Sequence, residues 1–393
     1  MKNQSFYSAL NKNQKYILFC CLFIFLVNGL FSMMLGSILP LISSEYGLNN
    51  TISGGLISAH QVGNLISGFI AGILPVYLGK KKSIIFLCSF VILGFVIMMV
   101  YGNPILLLIA FLFTGLSRGS ISNFDNSTVN EISGSSPSAL SILHSVFAVG
   151  AFLSPILVIV STKIGGEKGW KLATGFIIFL VLISMILFSQ MKGDEHIVKQ
   201  KKSLSYVFLK DKYFWAGTGI LFFYLCAEAA ITGWLVKYFV DSNIMSISYA
   251  QMLNSLLWVV ILAGRLVTAF IGNRMKKEKI LVFASIGTAC FYALLLSTQN
   301  LVLITIAIMG LGFSMAGIYP TTFASVGKTI SKYPMATGVL LMIGGVGAIL
   351  MPIITGALSD QFGILAGMSA ILIAIILMIV CVIISIYHTV KLK

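Results

Sequence analysis

Val149-Gly150-Ala151-Phe152-Leu153-Ser154-Pro155 and Val346-Gly347-Ala348-Ile349-Leu350-Met351-Pro352 are two versions of one heptapeptide, set 197 residues apart. The same displacement carries Lys80 and Lys82 onto Lys277 and Lys279, and Gly115-Leu116-Ser117 onto Gly312-Phe313-Ser314. One shift that fits at three separated places marks a duplication of half the chain. Both heptapeptides sit inside long apolar runs, so the duplicated unit is a set of apolar segments.

Twelve such runs fill the sequence, near residues 16–41, 52–78, 83–102, 105–128, 138–162, 170–190, 213–239, 248–273, 280–298, 301–326, 335–358 and 363–387. Each approaches the ~20 apolar residues that cross a bilayer's hydrocarbon core. Charged residues make up only 9% of the chain and hydrophobic ones 58%, where soluble proteins carry about 25% charge. Mean hydropathy is +1.01. The fold class expected is therefore an all-α membrane protein of twelve transmembrane helices in two six-helix, pseudo-symmetric halves. Residues 1–191 form the first half, the polar stretch 192–212 a cytoplasmic linker, and 213–393 the second half. The first run is too long for a signal peptide and lacks a small-residue cleavage site, so it reads as a retained span. Cys20, Cys21, Cys88, Cys226, Cys290 and Cys381 all fall in apolar runs without ligand spacing, which predicts small core residues rather than disulfides or metal ligands.

A net charge of +15 raises the question of nucleic acid, and its distribution answers it. Of the 26 lysines and arginines, 20 fall before the first run, after the last, or in alternate loops such as Lys80–Lys82, 192–212 and 274–279. The intervening loops hold only Lys163, Lys168, Lys171 and Lys237. By the positive-inside rule both termini are cytoplasmic in a multi-pass protein of the cell membrane. The charge serves topology and contact with anionic lipid, and nucleic acid is excluded as a partner.

Function has to come from polar groups within the spans, where ionisable side chains are costly. The candidates are Arg118 and Asp125 in the fourth span, His144 in the fifth, Glu228 in the seventh and Arg265 in the eighth. Arg118 and Glu228 lie near the middle of their spans. A rise of about 1.5 Å per residue puts Asp125 roughly 10 Å nearer the cytoplasm, level with His144. Burial and a moving cationic partner change a carboxyl's proton affinity in opposite directions, so Glu228 is expected to couple to protons, with Arg118 as counter-ion. Asp125 and His144 form a second expected proton-handling pair. Arg265, about eight residues from the end of its span, is close enough to the cytoplasmic surface to snorkel.

Uncharged polar residues recur at helical spacing, as in a cavity wall: Asn28, Ser32 and Gly36; Gln61, Asn64, Gly68 and Gly72; Gln251, Asn254 and Trp258. Tyr224 stands four residues before Glu228. Amides with a few aromatics suit a polyhydroxylated solute, because each hydroxyl needs a partner and the ring an apolar platform. The substrate-binding set expected is Asn28, Gln61, Asn64, Arg118, Tyr224, Glu228, Asn254 and Trp258, around a central cavity. The alternative role for these amides is interhelical hydrogen bonding.

Across nearly its whole length the chain resembles the major facilitator superfamily, whose two six-helix halves rock about a substrate site. Four segments resemble its fucose-permease-like sugar transporters: Ala227 to Trp234, Gly312 to Pro320, Leu143 to Gly150, and Asn126 to Glu131. That resemblance implies a secondary transporter for a small polar solute such as a sugar, with protons as coupling ion, no enzymatic activity and no cofactor. A monomer is expected. The superfamily's signature between spans 2 and 3 carries an aspartate where this chain has Val76, and the second copy has Asn273 before Arg274. The family's charge lock on the cytoplasmic side is therefore absent, leaving backbone and lysine contacts to serve. The competing reading is a proton-coupled efflux antiporter for drugs or cationic metabolites. It is disfavoured because Ser154-Pro155 is followed by Ile156-Leu157, where drug antiporters of the superfamily follow their glycine-proline pair with paired glycines.

Overall fold

A computed structural model describes residues 7, 10–133, 137–191, 207–271 and 274–391. The described residues are almost entirely helical and contain no strand. In chain order the helices are α1 (Lys12–Tyr46), α2 (Asn50–Val100), α3 (Pro104–Ile132), α4 (Pro137–Gly165), α5 (Gly169–Ser189), α6 (Lys212–Asp241), α7 (Ile247–Ile271), α8 (Lys277–Ser297), α9 (Leu301–Ala316), α10 (Ile318–Ser325), α11 (Gly327–Lys332), α12 (Pro334–Phe362) and α13 (Ile364–Lys391). Ten helical stretches among the described residues are long and apolar enough to cross a membrane. One of them, Ile142–Ser189, has 48 residues and is divided into α4 and α5 by the 3-10 turn Gly166–Lys168. The run expected at 52–78 lies in the first part of α2, outside those ten.

Helix ends follow local chemistry. Asn11 opens α1 with a capping box, its side chain accepting from Gln14 N–H at 2.9 Å while Gln14 Oε1 accepts from Asn11 N–H at 3.0 Å. Gly47 closes α1 at φ 62°, a left-handed conformation that glycine adopts at least cost. Within α2, Gly79 departs from helical geometry (φ 76°, ψ 164°), so the second and third expected spans meet there. The expected tenth span is divided at Gly317. Pro320 has no N–H for the carbonyl of Ala316 and its ring crowds that carbonyl, so α9 stops and α10 begins.

The duplication is visible at atomic detail. Asn103 caps α3, accepting from Ile105 and Leu106 N–H at 2.9 and 3.3 Å; Asn300 caps α9, accepting from Val302 and Leu303 N–H at the same two distances. Gly166 and Gly363, at equivalent positions, both take positive φ, 60° and 86°.

Two compact units result. The first comprises Met1–Gly47 and Ala59–Gln200; the second comprises Leu48–Ser58 and Lys201–Lys393. In the first, α1 packs along α4. A side chain on Gly29 would collide with the carbonyl of Phe147, and one on Gly150 with that of Leu26, so the two backbones touch. In the second, α6 packs against α12 and α13, and α9 against α7 and α8.

The polar stretch expected as a linker is ordered at its end. Val207–Lys210 form a 3-10 turn, and Phe208 is buried against Phe214 and Tyr333 at ring separations of 5.1 and 5.9 Å. Asp211 caps α6 by accepting from Tyr213 N–H at 2.9 Å and also accepts from Thr329 Oγ1 at 3.0 Å. Residues 192–206 and Asn273, and the side chain of Val76, lie outside the described residues. Of the loop lysines, Lys80 pairs with Glu131 at 2.7 Å, Lys81 donates to the carbonyl of Met191 at 3.4 Å and Lys277 to that of Ala324 at 2.5 Å.

Candidate functional site

The polar core of the first unit centres on Arg118 of α3. Its backbone carbonyl accepts from Asn28 Nδ2 of α1 at 3.2 Å, and Ser32 Oγ donates to Asn28 Oδ1 at 3.2 Å. Asn28 is fully buried; its Nδ2 holds α1 to α3, while its Oδ1 is fixed by Ser32 one turn on along α1. The Arg118 side chain is half-buried and its Nη1 stands 3.5 Å from His60 Nε2 of α2.

His60, absent from the residues expected at the site, is buried. Its Nδ1 lies 2.9 Å from Thr114 Oγ1, and that hydroxyl donates to the carbonyl of Phe111 at 2.7 Å. The hydroxyl proton is thus committed, so Thr114 accepts from Nδ1–H and Nε2 carries the lone pair facing Arg118. Gln61 and Asn64, one and four residues on, are half-buried. The carboxamide oxygen of Asn64 lies against α3, 2.7 Å from where a β-carbon on Gly119 would stand.

Asp125 and His144, expected as a pair, are not joined. Asp125 is fully buried and neither carboxylate oxygen accepts a hydrogen bond from His144. His144 is exposed near the start of α4, its ring edge-on to Phe25 at 5.6 Å. Spacing along the chain placed the two at one level but carried no information about which way each helix turns its side chain.

The second unit holds the remaining candidates. Tyr224, fully buried on α6, donates its hydroxyl to Glu228 Oε1 at 2.8 Å. One helical turn separates the two residues, so the pairing needs no distortion of α6. Glu228 is half-buried. The Tyr224 ring stands 6.3 Å from that of Tyr319 on α10, and Tyr319 stacks on Phe323 at 5.6 Å with 20° between the planes. Gln251, Asn254 and Trp258 form a buried stripe on α7. The indole Nε1 of Trp258 has no hydrogen-bond partner among the described residues. Arg265 continues that stripe two turns on and is exposed.

The sequence profile of the Major Facilitator Superfamily matches residues 21–332 and 245–392. The chain belongs to that superfamily. Among curated relatives, a TsgA homolog from Yersinia enterocolitica is 24% identical over 91% of this chain and 92% of its own length. A TsgA homolog from Serratia proteamaculans is 28% identical over 76% and 72%. Among solved structures, the nucleoside transporter NupG superposes with a TM-score of 0.74 at 15% identity, over 96% of this chain and 99% of its own. A bacterial homolog of the human lysosomal transporter Spinster gives 0.77 at 13%, over 96% and 97%. These two likenesses establish the fold. Membership makes the chain a multi-pass membrane transporter of small solutes, built from the helices described above.

His60, Tyr319 and Phe323 were the residues that pattern reading passed over. His60 sits one residue before the stripe begun at Gln61 and four before Asn64, so it shares Asn64's helical face. Tyr319 lay within a segment that carried the family resemblance without being assigned a role.

Proposed function

We propose that this superfamily member is a proton-coupled symporter of a small polar solute, a sugar or related metabolite, working by alternating access in the cell membrane with both termini cytoplasmic. The observation that carries the coupling is the half-buried Glu228 carboxylate held by the Tyr224 hydroxyl at 2.8 Å. A carboxyl that carries a proton needs a fixed partner that tolerates both of its states. A tyrosine hydroxyl does so, since it donates to the carboxylate and can accept from the carboxylic acid. Gln61, Asn64 and Arg118 in the first unit, and Asn254 and Trp258 in the second, supply the donors and platform that a polyhydroxylated solute requires. Asn28 serves this role indirectly, by fixing α1 against the backbone at Arg118. The buried Asp125 is assigned as a second proton-binding group on α3.

Protonation drives transport only if it favours one conformation over the other. Glu228→Gln keeps the size of the side chain and its hydrogen bond to Tyr224 but holds the group neutral. In proteoliposomes the variant should lose accumulation driven by a pH gradient while retaining solute exchange down a concentration gradient. Undiminished pH-driven accumulation would remove Glu228 from the coupling role and make Asp125→Asn the next variant to measure.

A further inference from the structure

The 3-10 turn Val207–Lys210 is fixed from three directions. Phe208 packs edge-on to Phe214 of α6 and against Tyr333. Asp211 accepts from the first turn of α6 and from Thr329 of α11. The carbonyl of Leu209 accepts from Trp215 Nε1 at 2.7 Å. So held, the turn still leaves an apolar edge open: Val207, Leu209 and Trp215 are 62%, 39% and 43% exposed. The repeat shows that this edge is an addition. At the 197-residue displacement Val207–Lys210 falls on Leu10-Asn11-Lys12-Asn13, and Trp215 falls on Leu18, which is buried. The edge belongs to the second unit alone and is not part of the duplicated packing.

Lysines border it. Lys210 and Lys212 are exposed, and in a 3-10 turn residues three apart eclipse, which sets Lys210 alongside Val207. Lys332, exposed at the end of α11, has its Nζ 5.3 Å from the centre of the Tyr333 ring, the same ring that packs on Phe208. None of the three lysines belongs to an ion pair among the described residues.

Depth decides what meets this surface. The 30 residues of α6 extend about 45 Å at 1.5 Å per residue, matching the roughly 40–45 Å of a bilayer with its headgroups. Its first turn, with Trp215, and the 3-10 turn before it therefore lie at headgroup level. Tryptophan there sets its ring at the acyl boundary, and lysine carries its ammonium outward on an apolar stem. An anionic phospholipid complements both features, offering chains to the apolar edge and a phosphate to the lysines. A zwitterionic lipid sets its own cation against them. An acidic protein segment supplies charge but no acyl chain at this depth. We infer that Val207, Leu209 and Trp215, with Lys210, Lys212 and Lys332, form a binding site for anionic phospholipid. Such a site is independent of the solute carried and of the symporter reading.

The test uses the full-length protein reconstituted in mixtures of phosphatidylcholine and phosphatidylglycerol, one or the other brominated in its acyl chains so that it quenches a tryptophan it touches. Trp170, Trp234 and Trp258 are buried, so Trp215→Phe should remove most of the quenching. Phosphatidylglycerol should be selected at Trp215 by at least about fivefold, the effect of one lysine near an anionic surface. Exchanging Lys210, Lys212 and Lys332 together for Gln should bring the ratio close to one. Lys163→Gln with Lys168→Gln lowers the net charge elsewhere and should leave the ratio in place. Val207→Ser with Leu209→Ser should weaken quenching by both lipids, and free glycerol phosphate at constant ionic strength should displace neither. Equal selection of the two lipids would overturn the site, as would a preference that survives in the lysine variant or falls equally in the Lys163 and Lys168 control. So would quenching that persists in Trp215→Phe or is undiminished in the serine variant. Displacement by free glycerol phosphate would also overturn it, marking a site for the phosphate alone.

Discussion

Thr114, Arg118 and His60 show how a membrane interior makes a polar side chain specific. The Thr114 hydroxyl spends its proton on the carbonyl of Phe111 and its lone pair on His60, which fixes the tautomer that faces Arg118. Thr114→Val keeps the shape but leaves the buried Nδ1–H without an acceptor, at a cost of about 1–3 kcal/mol. Thermal unfolding in detergent should register the loss, and a histidine free to change tautomer should weaken whatever function Arg118 serves. Unchanged stability in Thr114→Val would show that the hydrogen bond is dispensable. The reading of the sequence found Arg118 because an arginine within an apolar run is conspicuous. It missed His60 because a histidine beside Gln61 looks like one more polar residue, and only the fold brings Thr114 and Arg118 alongside it. The same limit applies to Asp125 and His144, which depth in the sequence put at one level although no hydrogen bond joins them.

At the scale of elements, lengths and ends were legible where local chemistry decides them. Asn11, Asn103 and Asn300 cap helices by side-chain acceptance from their own first turns, whereas the run 301–326 read as one span and is divided because of what the Pro320 ring excludes. What holds the start of α2 was not legible, since its partner lies more than 300 residues away. Asn49 Oδ1 accepts from Ile52 N–H at 2.8 Å, while the Asp360 carboxylate of α12 accepts from Asn50 N–H, Thr51 N–H and Thr51 Oγ1 at 2.8, 2.7 and 2.6 Å. Ser58 Oγ donates to the carbonyl of Ile349 at 2.6 Å and Trp234 Nε1 to that of Pro352 at 3.2 Å. Segment 48–58 is thereby tied into the second unit, while the rest of α2 belongs to the first. Asp360→Ala removes a distant cap, which typically costs about 0.5–2 kcal/mol. Hydrogen exchange at residues 49–58 should then accelerate several-fold, with α8 unaffected as an internal control. Exchange at wild-type rates would mean that Asn49 alone suffices to hold the helix start. Asp360→Asn keeps one acceptor oxygen and should fall between the two.

For the whole molecule, the duplication and the lysine pattern answer different questions. The repeat says that two units were built on one plan, and the equivalent caps at Asn103 and Asn300 bear that out atom by atom. It carries no information about orientation, which depends on charge in the loops. Four lysines fall on the lysine-poor side, and two of them are neutralised within the fold: Lys171 pairs with Glu45 and Lys237 with Asp241, each at 2.6 Å. Trp170 Nε1 adds a 2.7 Å bond to the same Glu45. On the lysine-rich side, Glu131 pairs with Lys80 among the described residues. Because the imbalance of lysines and arginines sets how the chain inserts, the Lys80–Lys82 loop should face the cytoplasm and the turn at Glu167 the outside. The check is labelling of intact cells with a membrane-impermeant maleimide, using Lys81→Cys and Glu167→Cys variants. Glu167→Cys should react directly and Lys81→Cys only after permeabilisation. Reaction of Lys81→Cys from outside would invert the topology and, with it, the direction in which any proton gradient acts on Glu228.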